Sequence, residues 1–450
     1  MKVAVIGTGY VGLTTGVCLA FIGHEVHCLD VAQDKIDALN AGQVPIFEPY
    51  LPELLEAARA RIHFTTSYAE AIPDADVVFI AVGTPSLADG QPDLKYLGAA
   101  SKSLGEHMAS PFTVVVNKST VPIGSGNWVG ALIRESQKAA GKSAAFAVAS
   151  NPEFLREGSA IQDSLYPDRI VIGADNPRAL ETLYLLYRPL TDQSFAAPNF
   201  APRRDGLGAV PLVSTDLASA ELIKYAANAF LATKISFINE IGLLAGRVGA
   251  DVQHIARGIG LDTRIGNRFL NAGLGWGGSC FAKDTAALAA TAREYGLPME
   301  IVEAARRVNT NMRERVVERL LETLKILKGR TVAILGLAFK PNTDDLRDAP
   351  AIDIIRRLQQ RGAIVRAHDP IAMARFRSEH PDLAGILCKT PEEAIAESDA
   401  VVLTTEWSEY RDLDWTALAA TVNSKHFLDT RFAADAATMQ AAGWQLQRLP

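Results

Sequence analysis

The densest concentration of chemically capable residues is the run Gly275-Trp276-Gly277-Gly278-Ser279-Cys280-Phe281-Ala282-Lys283-Asp284. A thiol attacks only as its thiolate, so its surroundings must favour negative charge. The strongly helical AKDTAALAATARE that follows puts Cys280 near a helix N-terminus, where the dipole does this, and Lys283 adds a nearby cation. Asp284, four residues on, falls on the same helical face. Glycines ahead of the cysteine let the backbone approach a bulky ligand. An isolated cysteine in a glycine-rich turn is more often a buried structural thiol, but here the flanking glycines and charges favour a nucleophile.

Lys224 and Asn228 lie one turn apart on a helical stretch. A lysine there can stabilise an oxyanion or hold a water, and an asparagine supplies neutral hydrogen bonds; spacing alone leaves a solvated lysine as the alternative. Asn151-Pro152-Glu153-Phe154-Leu155-Arg156-Glu157-Gly158 follows a strand-like run. Glu153 can serve as a general base and Glu157 as a cofactor contact, although acids at a helix start are equally what the dipole prefers.

Gly7-Thr8-Gly9-Tyr10-Val11-Gly12 has the GxGxxG spacing between a strand and a helix, the arrangement that sets backbone N–H groups and a helix dipole against a pyrophosphate. Asp30 follows Gly12 by eighteen residues, at the end of the second strand. Its carboxylate can accept the adenosine ribose hydroxyls and would repel a 2′-phosphate, which favours NAD over NADP. Thr84, in AVGTP at the end of a later strand, is a further candidate cofactor contact, with a plain turn as the alternative.

These residues need a scaffold that brings strand ends together. Strands are expected at Lys2–Ile6, Glu25–Asp30, Ala75–Val82, Phe112–Val116 and Phe146–Ala149, with a helix over Gly12–Gly23. An irregular surface loop or hinge is expected from Arg188 to Val213, then a helix from Asp216 to Val248, capped by Ser214 or Thr215 and ended by Gly249. In the last third VAILG, AIVRAHD and DAVVLTTEW echo the opening strands, but without the glycine fingerprint. The fold class expected is α/β: two Rossmann-like doubly wound parallel-sheet domains joined by a central long helix. Boundaries fall at 1–200, 201–318 and 319–450.

A length of 450 residues suits about three domains. A formal charge of −6 without basic runs argues against a nucleic-acid partner, and no uninterrupted apolar stretch of membrane-spanning length is apparent. The chain opens directly into a strand, so no signal peptide is expected. Four cysteines without a CxxC pair, and eight histidines without HxH or HxxxH spacing, suggest a cytoplasmic protein with no metal centre.

VAVIGTGYVGL, KSTVPIG, NPEFLREG, ELIKYAANAFLATKISFINE, GWGGSCFAKD and LGLAFKPNTDDLRDAP, in this order, resemble the UDP-glucose 6-dehydrogenase family over nearly the whole chain. The resemblance implies an N-terminal NAD-binding domain, a central dimerising helix and a C-terminal UDP-binding domain. It makes Cys280 the nucleophile that traps a C6 aldehyde as a thiohemiacetal, which a second oxidation turns into a thioester for water to hydrolyse. Lys224 and Asp284 would handle protons and water, Glu153 would be the base for hydrolysis, Thr120 would help to place water and cofactor, and Asn228 would sit beside the oxyanion. NAD contacts are implied at Val11, Asp30, Lys35, Thr84, Thr120, Glu157, Lys283 and Arg347, beside the Gly7, Gly9, Tyr10 and Gly12 turn. UDP-glucose contacts are implied at Glu153, Phe154, Leu155, Arg156, Glu157, Lys224, Asn228, Phe269, Leu270, Asn271, Ala272, Gly273, Gly277, Lys340 and Arg431. Arg264 resembles an arginine that crosses a homodimer interface to a neighbour's substrate.

Three departures stand out: Ala282 where many members have proline, Tyr50 in place of a frequent glycine in EPYL, and a 190–212 loop longer than usual. None removes a reactive group. A dehydrogenase for UDP-N-acetylhexosamine or GDP-mannose is the nearest rival, and GGSCF with FLNAG favours UDP-glucose over it. A non-catalytic regulator binding NAD and a UDP-sugar is the rival of a different class, and it would more naturally lack Cys280, Lys224 or Asp284.

Overall fold

Short Val/Ile/Ala runs bounded by Gly, Asp and Pro suit strands covered on both faces, because both sets of alternating side chains must then be apolar. The computed structural model describes residues 1–87 and 89–450. The chain divides into two compact units, Met1–Ala226 with Ala286–Tyr295, and Ala227–Thr285 with Gly296–Pro450.

The first unit holds β1 (Lys2–Ile6), β2 (Glu25–Leu29), β3 (Ile62–Thr65), β4 (Val77–Ile80), β5 (Thr113–Asn117), β6 (Phe146–Ser150), β7 (Ile170–Gly173) and β8 (Leu212–Thr215). They form one sheet in the order β3-β2-β1-β4-β5-β6-β7-β8, parallel except where Ser150 meets Gly173. The first six follow the dinucleotide-binding order, which reverses between β1 and β4 and opens a crevice at their carboxyl ends. Val3 and Val5 point into one core layer, while Ala4 and Ile6 point into the other. The first layer takes α1 (Tyr10–Phe21), α2 (Leu51–Ala58), α5 (Ala160–Leu165) and α6 (Pro177–Thr191). The second takes α3 (Lys95–His107) and α4 (Ser125–Ala139). The expected strands are present with ends shifted by one or two residues, and α1 starts at Tyr10, ahead of Gly12.

The irregular stretch is shorter than expected and better packed. Arg188 to Thr191 are the last turn of α6, and Leu212 and Val213 already belong to β8. Between them Ala201 and Val210 are buried, and Phe195 and Phe200 pack against the first core layer. Phe200 stacks on Tyr50 at 6.1 Å between ring centroids and 25° between planes. Tyr50 has a φ of 68°, the left-handed conformation that makes glycine the usual choice there. The tyrosine and the longer loop, two separate departures in the sequence, are thus partners in one contact.

Helix α7 (Leu217–Val248) runs from the first unit into the second. Asp216 caps it, accepting the Ser219 N–H at 2.7 Å; Ser214 and Thr215, the expected caps, are held in β8. Gly249 ends it at a φ of 73°. Its most apolar window has a mean hydropathy of 1.3, long and apolar enough by composition to cross a membrane, which qualifies the expectation that no such stretch exists. Buried Glu221, Lys224 and Asn228 nevertheless interrupt the helix with charge and amide groups, a pattern also met in core helices.

The second unit holds β9 (Thr331–Leu335), β10 (Ile364–His368), β11 (Ala400–Leu403), β12 (His426–Asp429) and β13 (Gln445–Arg448), in the order β10-β9-β11-β12-β13, all parallel. β10 and β11 flank β9 as β2 and β4 flank β1, which is the internal echo expected from the sequence. The chain also includes α8 (Ser279–Glu294), α9 (Glu300–Leu324) and α10 (Pro350–Gln360).

If Tyr50 and Phe200 support each other, Tyr50→Gly and Phe200→Ala will not be additive in urea unfolding. A double-mutant cycle should give a coupling of about 0.5–1.5 kcal/mol; a coupling near zero would separate the two.

Candidate active site

The β1–α1 turn is built around glycine. Gly7 has a φ of 96°, and a Cβ on Gly12 would overlap the Gly7 carbonyl oxygen, so neither position accepts a side chain. A Cβ on Gly9 would have nothing within 4 Å, so the turn faces open space beside the first N–H groups of α1. Asp30 Oδ2 accepts from Thr8 N and Thr8 Oγ1, each at 2.8 Å, Oδ1 accepts from Ala32 N at 3.1 Å, and Lys35 Nζ stands 3.8 Å away. Burial opposes ionisation of Asp30, but those bonds and Lys35 outweigh it and hold its carboxyl below the usual range. Open space, helix N–H groups and an ionised acid fit a dinucleotide with a free ribose diol. Thr84 donates its hydroxyl to the Thr120 carbonyl at 3.0 Å, and Ser119 Oγ donates to Val82 O at 2.7 Å, so the loops after β4 and β5 are tied together beside that turn.

The NPEFLREG loop leaves the carboxyl end of β6. Glu153 Oε1 accepts from Lys224 Nζ at 2.8 Å, and Oε2 accepts from Leu155 N at 2.7 Å. Both ionic side chains are almost fully buried. Burial pushes the Glu153 carboxyl up, but Lys224, the Leu155 N–H and Lys118 together pull it below its ordinary value. Lys224 therefore has a partner and is not the solvated lysine that spacing left open. Phe154 lies under the Arg169 guanidinium at 3.6 Å and within 5.5 Å of Lys224 Nζ. The Arg156 guanidinium is bound to Asp163, with Nε 2.9 Å from Oδ2.

Cys280 is the second residue of α8, as expected, and is half-buried. Burial pushes the thiols of Cys18 and Cys28 up to about 12, which leaves them inert at neutral pH. Asp284 is fully buried; its Oδ2 accepts from Asn228 Nδ2 at 2.6 Å, and its Oδ1 lies 3.5 Å from Lys283 Nζ. The glycines before Cys280 are used differently from expectation. A Cβ on Gly277 would come within 2.5 Å of Asp348 O, and one on Gly278 within 2.8 Å of the Phe339 ring. They admit the protein's own neighbouring loop, which holds the α8 N-terminus in place.

The remaining sequence candidates divide in two. Gly273 N donates to Asn239 Oδ1 at 2.8 Å, Leu270 is buried in a small core with Ile238, Ala245 and Val252, and Phe269 meets Phe281 edge-on at 6.2 Å. Asn271 is exposed and Ala272 half-buried. Lys340 Nζ lies 5.2 Å from the Phe339 ring centroid. Three arginines among the candidates are bound to acids or carbonyls of the protein itself. Arg264 Nη2 pairs with Asp262 at 2.6 Å, and Arg347 Nε with Asp345 at 2.8 Å. Arg431 spans the Thr404, Gly275 and Phe339 carbonyls at 2.8, 3.1 and 3.2 Å, pinning three loops.

Three residues at the first unit's site escaped sequence reasoning. Glu48 accepts from Tyr10 Oη, from Gly158 N at 2.7 Å and from Ala160 N at 2.6 Å, which fastens the NPEFLREG loop to the glycine turn. Glu221 accepts from Gly124 N at 2.7 Å and Gly126 N at 3.0 Å, which ties the helix carrying Lys224 to the loop carrying Thr120. Lys118 donates to Asn151 Oδ1 at 2.7 Å. A glutamate before proline in EPYL and a lysine in KSTVPIG were visible, but nothing local marked their partners.

Breaking the buried pair on one side leaves a charge uncompensated. Lys224→Met should cost about 3–5 kcal/mol in urea unfolding, and adding Glu153→Gln should recover a large part of that. Equal losses in the single and double variants would mean that the pair does not carry the stability of this loop.

With this geometry in hand, the relatives are informative. The UDP-glucose/GDP-mannose dehydrogenase family matches in three parts: its NAD binding domain at residues 1–191, its central domain at 218–311 and its UDP binding domain at 333–436. The chain is 48% identical over 438 residues to the UDP-glucose 6-dehydrogenase of Rhizobium meliloti, covering 96% of this chain and 95% of that protein. It is 44% identical over 451 residues to the UDP-glucose 6-dehydrogenase TuaD of Bacillus subtilis, covering 98% and 92%. A solved UDP-glucose dehydrogenase from the hyperthermophilic archaeon Pyrobaculum islandicum superposes with a TM-score of 0.88 at 40% identity, covering 100% of this chain and 96% of that one. The chain belongs to the UDP-glucose/GDP-mannose dehydrogenase family.

Proposed function

We propose that this chain oxidises the C6 hydroxymethyl group of UDP-glucose to the carboxylate of UDP-glucuronate, through a thioester on Cys280. The observation that carries this reading is the placement of Cys280 in the first turn of α8, four residues before a buried Asp284 held by Asn228 and Lys283. When bound, NAD supplies the hydride acceptor for each of two oxidations. The sugar first loses a hydride and a proton to become an aldehyde. The Cys280 sulfur adds to the aldehyde carbon, and the resulting thiohemiacetal loses a second hydride and proton to become a thioester. Water then cleaves the C–S bond, restoring the thiol. The balance is one UDP-glucose, two NAD and one water giving UDP-glucuronate, two NADH and three protons.

Lys224 and Asp284 exchange protons with the C6 oxygen and its water, and Asn228 donates to the developing oxyanion. Glu153, kept ionised by its neighbours, is the base that activates water for hydrolysis, with Thr120 helping to place it. The functional blocks follow 1–200 for cofactor, 201–318 for catalysis and pairing, and 319–450 for UDP. A homodimer or a higher homo-oligomer goes with this reading, as does a cytoplasmic location. Phe230, Phe237, Leu244 and Val248 stand exposed on α7 at spacings of seven, seven and four, a stripe suited to a second copy of the helix. Such a pairing would let Arg264 exchange Asp262 for a neighbour's substrate.

Purified protein with excess NAD should release two NADH per UDP-glucose, and Cys280→Ala should make no glucuronate. One NADH per sugar, or full turnover without the thiol, would sink the thioester route. Faster turnover of a UDP-N-acetylhexosamine or GDP-mannose would reassign the sugar, and none with any sugar would point to a binding protein.

A further inference from the structure

Glu153 has two cations near it, although one suffices to neutralise it. Lys224 makes the direct bond, while Lys118, the residue after β5, reaches Asn151, the residue after the neighbouring β6. Asn151 has no freedom to turn. Its Nδ2 donates to Val171 O at 2.7 Å, which leaves Oδ1 to accept both Lys118 Nζ at 2.7 Å and Tyr187 Oη at 2.5 Å. Its backbone N–H donates to Asn117 O at 3.0 Å, extending the β5–β6 ladder to the start of the loop. Lys118 thus grips the residue from which the Glu153 turn departs, two positions upstream of the carboxylate.

We propose that Lys118 is a positioning residue whose ammonium, anchored on Asn151, keeps Glu153 ionised and its loop in register while Lys224 gives up and regains its proton. This rests on the reading of Glu153 as the hydrolytic base. A proton-transferring Lys224 becomes neutral at some stage, and a buried carboxylate left beside it without another counter-charge would take up a proton and cease to be a base. Lys118 supplies that standing charge. The charged and titratable groups facing it are Glu153 on the loop, Lys224 on α7 and Cys18 on α1, with the Tyr187 hydroxyl of α6 on the same asparagine oxygen. Burial, the largest influence, lowers the Lys118 ammonium to about 8 against the pull of Glu153, so it is still mostly charged at neutral pH.

The test is the pH dependence of kcat with UDP-glucose and NAD for the full-length wild type, Lys118→Met, Lys118→Arg and Glu153→Gln. Removing a positive charge raises the pKa of the carboxylate it faces, so the acid limb of Lys118→Met should move to higher pH by about one unit. Its kcat should fall roughly tenfold on the acid limb and change little at neutral pH, both KM values should stay within about threefold, and Lys118→Arg should return the limb to its place. Should Lys118→Met fail to fold, Lys118→Gln keeps a donor for Asn151 without the charge and carries the same comparison. An acid limb that stays put in the uncharged variants, while Glu153→Gln abolishes it, overturns the proposal alone. A limb that survives Glu153→Gln overturns the base assignment and the proposal with it.

Discussion

A carboxylate and an ammonium cannot be buried separately, and much of the first unit's site follows from how it buries Glu153 and Lys224 together. Moving either ion out of water costs several kcal/mol, recovered only when geometry is good and the remaining lone pairs are filled. The Leu155 N–H fills one, and Lys118 contributes a second positive charge. The pair joins the loop after β6 to α7, and Lys118 ties the end of β5 to the start of the same loop. Glu221, three residues before Lys224, locks the same helix to the start of α4. The residues read as catalytic are therefore held by the demand for charge compensation at least as much as by apolar packing.

The two sheets use one device for opposite ends. Each second strand is followed by an aspartate, Asp30 in the first unit and Asp369 in the second. Asp30 is bound by Thr8 and Ala32 in a turn whose glycine faces open space. Asp369 is filled by its own surroundings: Leu337 N, Ala338 N and Trp407 Nε1 on one oxygen, Ile371 N and Ala372 N on the other. With five donors on it, the second acid has no accepting capacity left for a ribose. The same strand–turn–acid pattern thus stands beside an open glycine turn in one sheet and makes a structural clamp in the other.

Much of this was legible locally. Strand periodicity, the GxGxxG turn, Asp30, the helix start at Cys280 and the i, i+4 relations of Lys224 to Asn228 and of Cys280 to Asp284 depend on residues a few positions apart, where backbone geometry alone sets direction. Other residues have neighbours that only distant parts of the chain supply. The glycines before Cys280 looked like room for a ligand, yet Asp348 and Phe339, more than sixty residues downstream, fill that room. Arg431, a UDP-glucose contact by resemblance, has a guanidinium that spans three carbonyls of its own unit. Asp216 displaced the expected caps because β8 had already taken Ser214 and Thr215.

The sequence by itself determined the fold class, the glycine turn, the helix start at Cys280 and the family motifs, since each rests on residue types at short, fixed spacings. Only the tertiary structure decided which charges neutralise one another. Glu153 meets Lys224 across 71 residues of chain, Glu48 meets Ala160 across 112, and Asn228 meets Asp284 across 56. No periodicity encodes such meetings. They come from strand order and helix packing, and the cost of leaving a buried charge alone selects among the pairings that order allows.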